Sequence, residues 1–140
     1  MNKTRLLLLT LLVFVIHTVV VMLTCGWLFS WVYALPPVEI WVPMETMTSP
    51  QTMMYLNLLA LVIAFFFVFV YAIIYKGIPG KTWTRGLMYG LLLWLASSIG
   101  MASMIFLMNI SPFVVIYWMA QGLLISLLSG LFVGGLYKGK

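Results

Sequence analysis

The sequence predicts an all-α integral membrane protein, with four transmembrane helices arranged as two hairpins and both termini cytoplasmic. Three observations carry this. Hydrophobic residues make up 65% of the 140 residues and charged residues only 6%, far from the balance of water-soluble domains. The apolar residues run in stretches of about 20 or more, the length that crosses a bilayer. All seven basic residues also fall at three places: Lys3 and Arg5 at the start, Lys76, Lys81 and Arg85 in the middle, Lys138 and Lys140 at the end. The only two acids, Glu39 and Glu45, lie apart from them.

Span one is read over residues 6–33. Its basic flank and apolar run resemble a signal peptide, but the run is too long and Thr24-Cys25-Gly26-Trp27 is a poor cleavage site, which predicts a retained anchor. Thr10, His17 and Thr24 are seven apart and share a face, so that face should point into protein. Cys25, the only cysteine, has no internal disulfide partner and reads as a buried, inert thiol. Trp27, Trp31 and Tyr33 suit an interfacial belt, and Pro36 and Pro37 stop the helix.

Residues 34–51 form the one sizeable loop, external and stiffened by Pro43 and Pro50 as well. Its Val38-Glu39-Ile40-Trp41-Val42 segment is too apolar to float in water. Trp41 is the candidate for docking against a partner, with lying on the membrane surface as the alternative. Span two follows over residues 52–75. The cytoplasmic loop, residues 76–85, sets glycines beside Lys81 and Thr82 as a phosphate-binding loop would, but the spacing is too short and no strand precedes it. Pro79-Gly80 is a chain reversal, with Thr82 or Thr84 placed to cap span three. Span three covers residues 86–108, Asn109-Ile110-Ser111-Pro112 is a tight turn, and span four covers residues 112–137.

With four spans the three basic locations share one side, which the positive-inside rule makes cytoplasmic. Basic residues beside anionic lipid account for the net charge of +5, and no nucleic-acid partner is implied. Tyr75-Lys76-Gly77 and Tyr137-Lys138-Gly139 both close a returning span. Either a parallel repeat of two hairpins or the general habit of such spans to end in an aromatic and a lysine gives this pattern.

Gly122, Ser126, Gly130 and Gly134 recur every fourth residue in span four, and Gly86 and Gly90 do so in span three. Small residues at this spacing let backbones approach closely, so these faces are candidate helix-packing and partner interfaces. His17, Ser97 and Gln121 lie within spans and are candidates for polar contacts between helices, at about 0.6 to 2 kcal/mol each. His17 could alternatively ligate haem or a chlorin, although a single histidine needs a second ligand from elsewhere. Eleven methionines raise a Cu(I) reading through Met44, Met47, Met101, Met104 and Met108. Flexible apolar packing explains the same residues, and no cytoplasmic cysteine or histidine waits to receive copper.

The Tyr75-Lys76-Gly77-Ile78-Pro79-Gly80-Lys81 turn, the Gly86-Leu87-x-x-Gly90-Leu91-x-x-Trp94 series and the glycine-rich last span ending in Leu136-Tyr137-Lys138 resemble small four-span bacterial membrane proteins of unknown function. The likeness covers mainly residues 70–138. It implies a bacterial inner membrane and a four-helix fold, and brings no activity or site residues.

The function expected is that of a non-catalytic accessory or scaffold subunit of a larger membrane complex. Its partners would be the lipid bilayer and other integral membrane subunits, with homo-oligomers also compatible, and the sequence requires no cofactor. No acid–base or nucleophile–base pair can be assembled from these residues, so an enzyme is not expected. One rival is a homodimeric transporter for Cu(I) or an apolar substrate, although no span carries the carboxylate that proton coupling usually needs. The other is an electron-transfer or photosynthetic subunit with His17 as pigment ligand.

Overall fold

The computed structural model describes residues 3–137, so Lys138 and Lys140 lie outside the described residues. Among these residues the fold is all-helical. The elements are α1 (Lys3–Leu23), α2 (Met44–Met47), α3 (Pro50–Ile74), α4 (Thr82–Ala102), α5 (Met104–Leu107) and α6 (Pro112–Leu136), with short helical turns between them. Four stretches are long and apolar enough to cross a membrane: Lys3–Leu28, Pro50–Gly77, Thr82–Leu107 and Pro112–Leu136. At 1.5 Å per residue each is roughly 38 to 42 Å long.

Regular α-helix in the first span ends at Leu23, although the apolar run continues to Tyr33. The Thr24 hydroxyl donates to the Val20 carbonyl at 2.6 Å, the oxygen that the Thr24 amide would take in a regular α-helix. That competition loosens the turn. The backbone widens to a π-turn over Thr24–Leu28, with Phe29 N–H reaching back to Thr24 O at 2.8 Å, and Phe29 leaves helical geometry altogether. A tight 3-10 turn, Ser30–Ala34, follows.

The other boundaries have local causes. Ser49 caps α3 by accepting from Thr52 N–H at 3.3 Å, with Pro50 at the first position, an arrangement that suits a helix start. α4 begins at Thr82, ahead of the expected residue 86. Gly80, at φ +103°, turns the chain as only glycine does without strain, and the Thr84 hydroxyl pairs with both the N–H and the carbonyl of Lys81, at 2.9 and 2.7 Å. At its far end α4 gives way to α5 where the Ser103 hydroxyl donates to Gly100 O at 2.6 Å.

α6 packs on both α4 and α1, and α1 packs on α3. α4 and α6 run in opposite directions: Gly86 lies against Gly134, Gly90 against Ser126, and the Trp94 indole donates to Met119 O at 2.8 Å. A Cβ on Gly86 or Gly134 would fall within 3 Å of backbone on the other helix, so these glycines are what permits the approach. α3 and α4 are instead bridged by a side chain, Tyr89, whose hydroxyl donates to Phe67 O at 2.6 Å.

One core joins Leu9, Val13, Ala64, Val68, Tyr71, Tyr89 and Val133 at the end of the bundle near Ile78. The second joins Val32, Ile110, Val114, Val115 and Tyr117 at the opposite end. α3 contributes only its second half to the first core. From Gln51 to Leu59 it has no buried residue, and only Thr52 is partly covered.

Candidate functional site

The second core carries the densest side-chain hydrogen bonding among the described residues. The π-turn sets Thr24 and Cys25 against α6, where Tyr117 and Gln121 stand one helical turn apart. Cys25 Sγ lies 3.1 Å from the Tyr117 hydroxyl, 3.3 Å from the Tyr33 hydroxyl and 3.2 Å from Gln121 Nε2. Gln121 Nε2 also donates to Thr24 Oγ1 and to the Tyr117 hydroxyl. Trp118 Nε1 donates to the Tyr33 hydroxyl at 3.2 Å.

Proton counting fixes the direction between Thr24 and Gln121. The Thr24 hydroxyl has one hydrogen, which goes to Val20 O, so toward Gln121 it can only accept. The atom facing it is therefore the amide nitrogen. The Tyr33 oxygen accepts from Trp118 and shares a hydrogen bond with the Cys25 sulfur in which either group can donate. Burial holds the Tyr33 hydroxyl above the usual tyrosine range, and the Cys25 contact pushes the same way. Both favour the neutral form.

Aromatic rings wall the node. Tyr33 meets Trp41 edge-on at 5.0 Å between centroids, Trp41 meets Trp118 at 5.9 Å, and Phe29 meets Tyr117 at 5.2 Å. Beside it lies a cavity of about 310 Å³ lined by Thr24, Phe29, Trp31, Val32, Phe113, Ile116, Tyr117, Ala120, Gln121 and Leu124. Thr24, Tyr117 and Gln121 are the polar part of a wall that is otherwise apolar.

Gly86, Gly90, Ser126, Gly130 and Gly134 meet one another across α4 and α6, so this face is filled from within the chain. A Cβ at Gly122 would touch only Trp94 Cδ1, at 3.7 Å. Gln121 reaches Thr24 and Cys25 from α6, whereas Ser97 is exposed and donates to its own helix at Trp94 O, 3.0 Å away. His17 is partly buried, and no hydrogen bond joins its imidazole to another described residue. Trp41 is folded back on Tyr33 and Trp118 with its Nε1 buried, while Trp27 and Trp31 are the exposed indoles at this end. Met101 and Met104 pack against the second core, whereas Met44 and Met108 are exposed and Met47 is partly covered. Among the described residues no group of three or more His, Cys, Asp or Glu side chains could hold a metal ion.

Cys25, Tyr33, Tyr117 and Trp118 were not expected to form a site. Tyr117 was within reach of the sequence, since it precedes Gln121 by one turn. Cys25 and Tyr33 meet only because the helix loosens at Thr24 and the chain folds back. Asn57 lies in the exposed half of α3, and its carboxamide inside an apolar run is a signal visible in the sequence.

Fold and site define an all-α protein of four long apolar helices with a dense polar node at one end. No family model matches the chain, and neither a curated protein nor a solved structure matches it.

Proposed function

We propose that this protein is a non-catalytic accessory subunit of a larger complex in the bacterial inner membrane, with both termini cytoplasmic and the 34–51 loop external. Asn57 carries the proposal. It is exposed on the unpacked half of α3, and its only side-chain hydrogen bond among the described residues runs from Nδ2 to the Met53 carbonyl of its own helix, at 2.7 Å. In hydrocarbon an exposed carboxamide is unfavourable, and a neighbouring helix is its usual partner. Because α4 and α6 fill each other's small-residue faces, the first half of α3 is the surface offered to another subunit. The rings around Trp41 stabilise the external loop rather than forming its docking point.

The test is purification from native membranes in mild detergent. A complex larger than one chain is expected, with Asn57→Leu losing the co-purified subunit and Asn57→Gln retaining it. Wild-type protein that elutes without any partner, or a complex unchanged by Asn57→Leu, would count against this reading.

A further inference from the structure

We propose that the cavity beside the node binds an apolar alcohol, a lipid-soluble molecule whose single hydroxyl donates to Gln121 Oε1. This ligand site goes beyond the subunit role and does not depend on it. The direction of the Thr24 hydrogen bond fixes the Gln121 amide with Nε2 toward Thr24, Cys25 and Tyr117. Oε1 is therefore the atom left over. No described residue donates to it, it is not sealed in by the fold, and its residue lines the cavity. A carbonyl oxygen facing hydrocarbon without a donor is unfavourable.

A water molecule is a poor solution there, since it needs two to four polar partners and the Thr24 and Tyr117 hydroxyls already pair within the node. An ion is poorer still, because no charged side chain lines the cavity. A hydroxyl on an apolar body satisfies the one acceptor while the body fills the space between Phe113, Ile116 and Leu124. At about 310 Å³ the cavity falls at the small end of ligand pockets, roughly 300 to 1,000 Å³. It suits the hydroxyl end of a longer molecule whose remainder lies in the bilayer. Linear isoprenoid alcohols and straight-chain alcohols share this chemistry.

The experiment uses the full chain in phosphatidylcholine nanodiscs and a photoreactive diazirine farnesol, with labelled residues mapped by mass spectrometry. Farnesol, farnesyl methyl ether and 1-hexadecanol compete for the label. The ether has the same body but cannot donate. Labelling is expected at Phe113 and Ile116, with farnesol displacing it about tenfold better than the ether, the worth of one hydrogen bond to a buried acceptor. Gln121→Leu should remove that preference. Ala120→Trp, which fills the cavity and leaves the node intact, should abolish labelling while the protein keeps its helical circular dichroism and elution position. Competition by 1-hexadecanol equal to farnesol supports the class with a straight-chain source, and weaker competition supports an isoprenoid one. Equal competition by farnesol and its ether in the wild type overturns the proposal, as does labelling that survives Ala120→Trp.

Discussion

The rings of Tyr75 and Tyr137 stand 5.0 Å apart at 66°, so the two aromatic residues that close the second and fourth spans meet each other. Tyr71 joins them, 5.6 Å from Tyr137 and 5.1 Å from Tyr89. The resemblance between Tyr75-Lys76-Gly77 and Tyr137-Lys138-Gly139 thus has a physical use whatever its origin. Edge-on aromatic pairs contribute about 0.5 to 1.5 kcal/mol beyond area burial. A double-mutant cycle of Tyr75→Leu and Tyr137→Leu, read by denaturant unfolding in detergent, should return a coupling in that range. Strict additivity would mean that the rings merely share a neighbourhood.

The contact between α4 and α6 should be intolerant at some glycines and tolerant at another. A Cβ at Gly86 would meet Gly130 O and come within 2.8 Å of Gly134 Cα, both backbone atoms that cannot swing aside. Gly86→Ala and Gly130→Ala should each destabilise by about 1 to 3 kcal/mol through forced separation of the helices. Gly122→Ala, facing only Trp94 Cδ1 at 3.7 Å, should be neutral or slightly stabilising, since alanine is the better helix former. The check is the unfolding midpoint of the three variants in one detergent. Equal effects at Gly86 and Gly122 would show that helix propensity, not close approach, sets the outcome.

Those glycines also show what was legible. A period of four in small residues marks a groove, and both grooves were visible in the sequence. That each is filled by the other is a matter of azimuth, which spacing within a single helix does not give. The same holds for Ser97: its depth is readable in the sequence, but its direction, outward and onto Trp94 O, is not. Trp41 and Cys25 depend on backbone that leaves regular geometry between Thr24 and Ala34. A hydrophobic run to Tyr33 carries only a weak sign of that break, in Thr24 and Gly26.

Tyr33 makes the node sensitive to alkali. Burial raises the tyrosine's pKa in the folded chain, so above the ordinary value of about 10 an unfolded chain releases this proton while the folded one keeps it. The folded state then binds more protons, and stability must fall as pH rises. The contribution is complete below the unfolded value and is lost through the window above it. The unfolding midpoint should fall more steeply above about pH 10 in the wild type than in Tyr33→Phe. At neutral pH the same variant leaves the Trp118 indole N–H without its acceptor, which should cost about 1 to 3 kcal/mol. Parallel pH profiles for the two proteins would remove Tyr33 from the account.

Orientation can be tested with the same economy of substitutions. Leu9, near the start of α1, shares a core with Tyr71, Ile78 and Val133, so the basic residues of the start and of the central turn lie at one end of the bundle. Arg85 is tied there by Nε donating to Ile78 O at 3.0 Å. Glu39 and Glu45 belong to the end where Val32 packs with Ile110 and Val114, and both are exposed. Basic residues are retained on the cytoplasmic side during insertion. In a Cys25→Ser background, Glu45→Cys should therefore react with a membrane-impermeant maleimide in intact cells. Lys81→Cys should react only after the membrane is permeabilised. The reverse pattern would invert the topology and place the Asn57 half of α3 near the cytoplasmic face, where its partner would have to be sought.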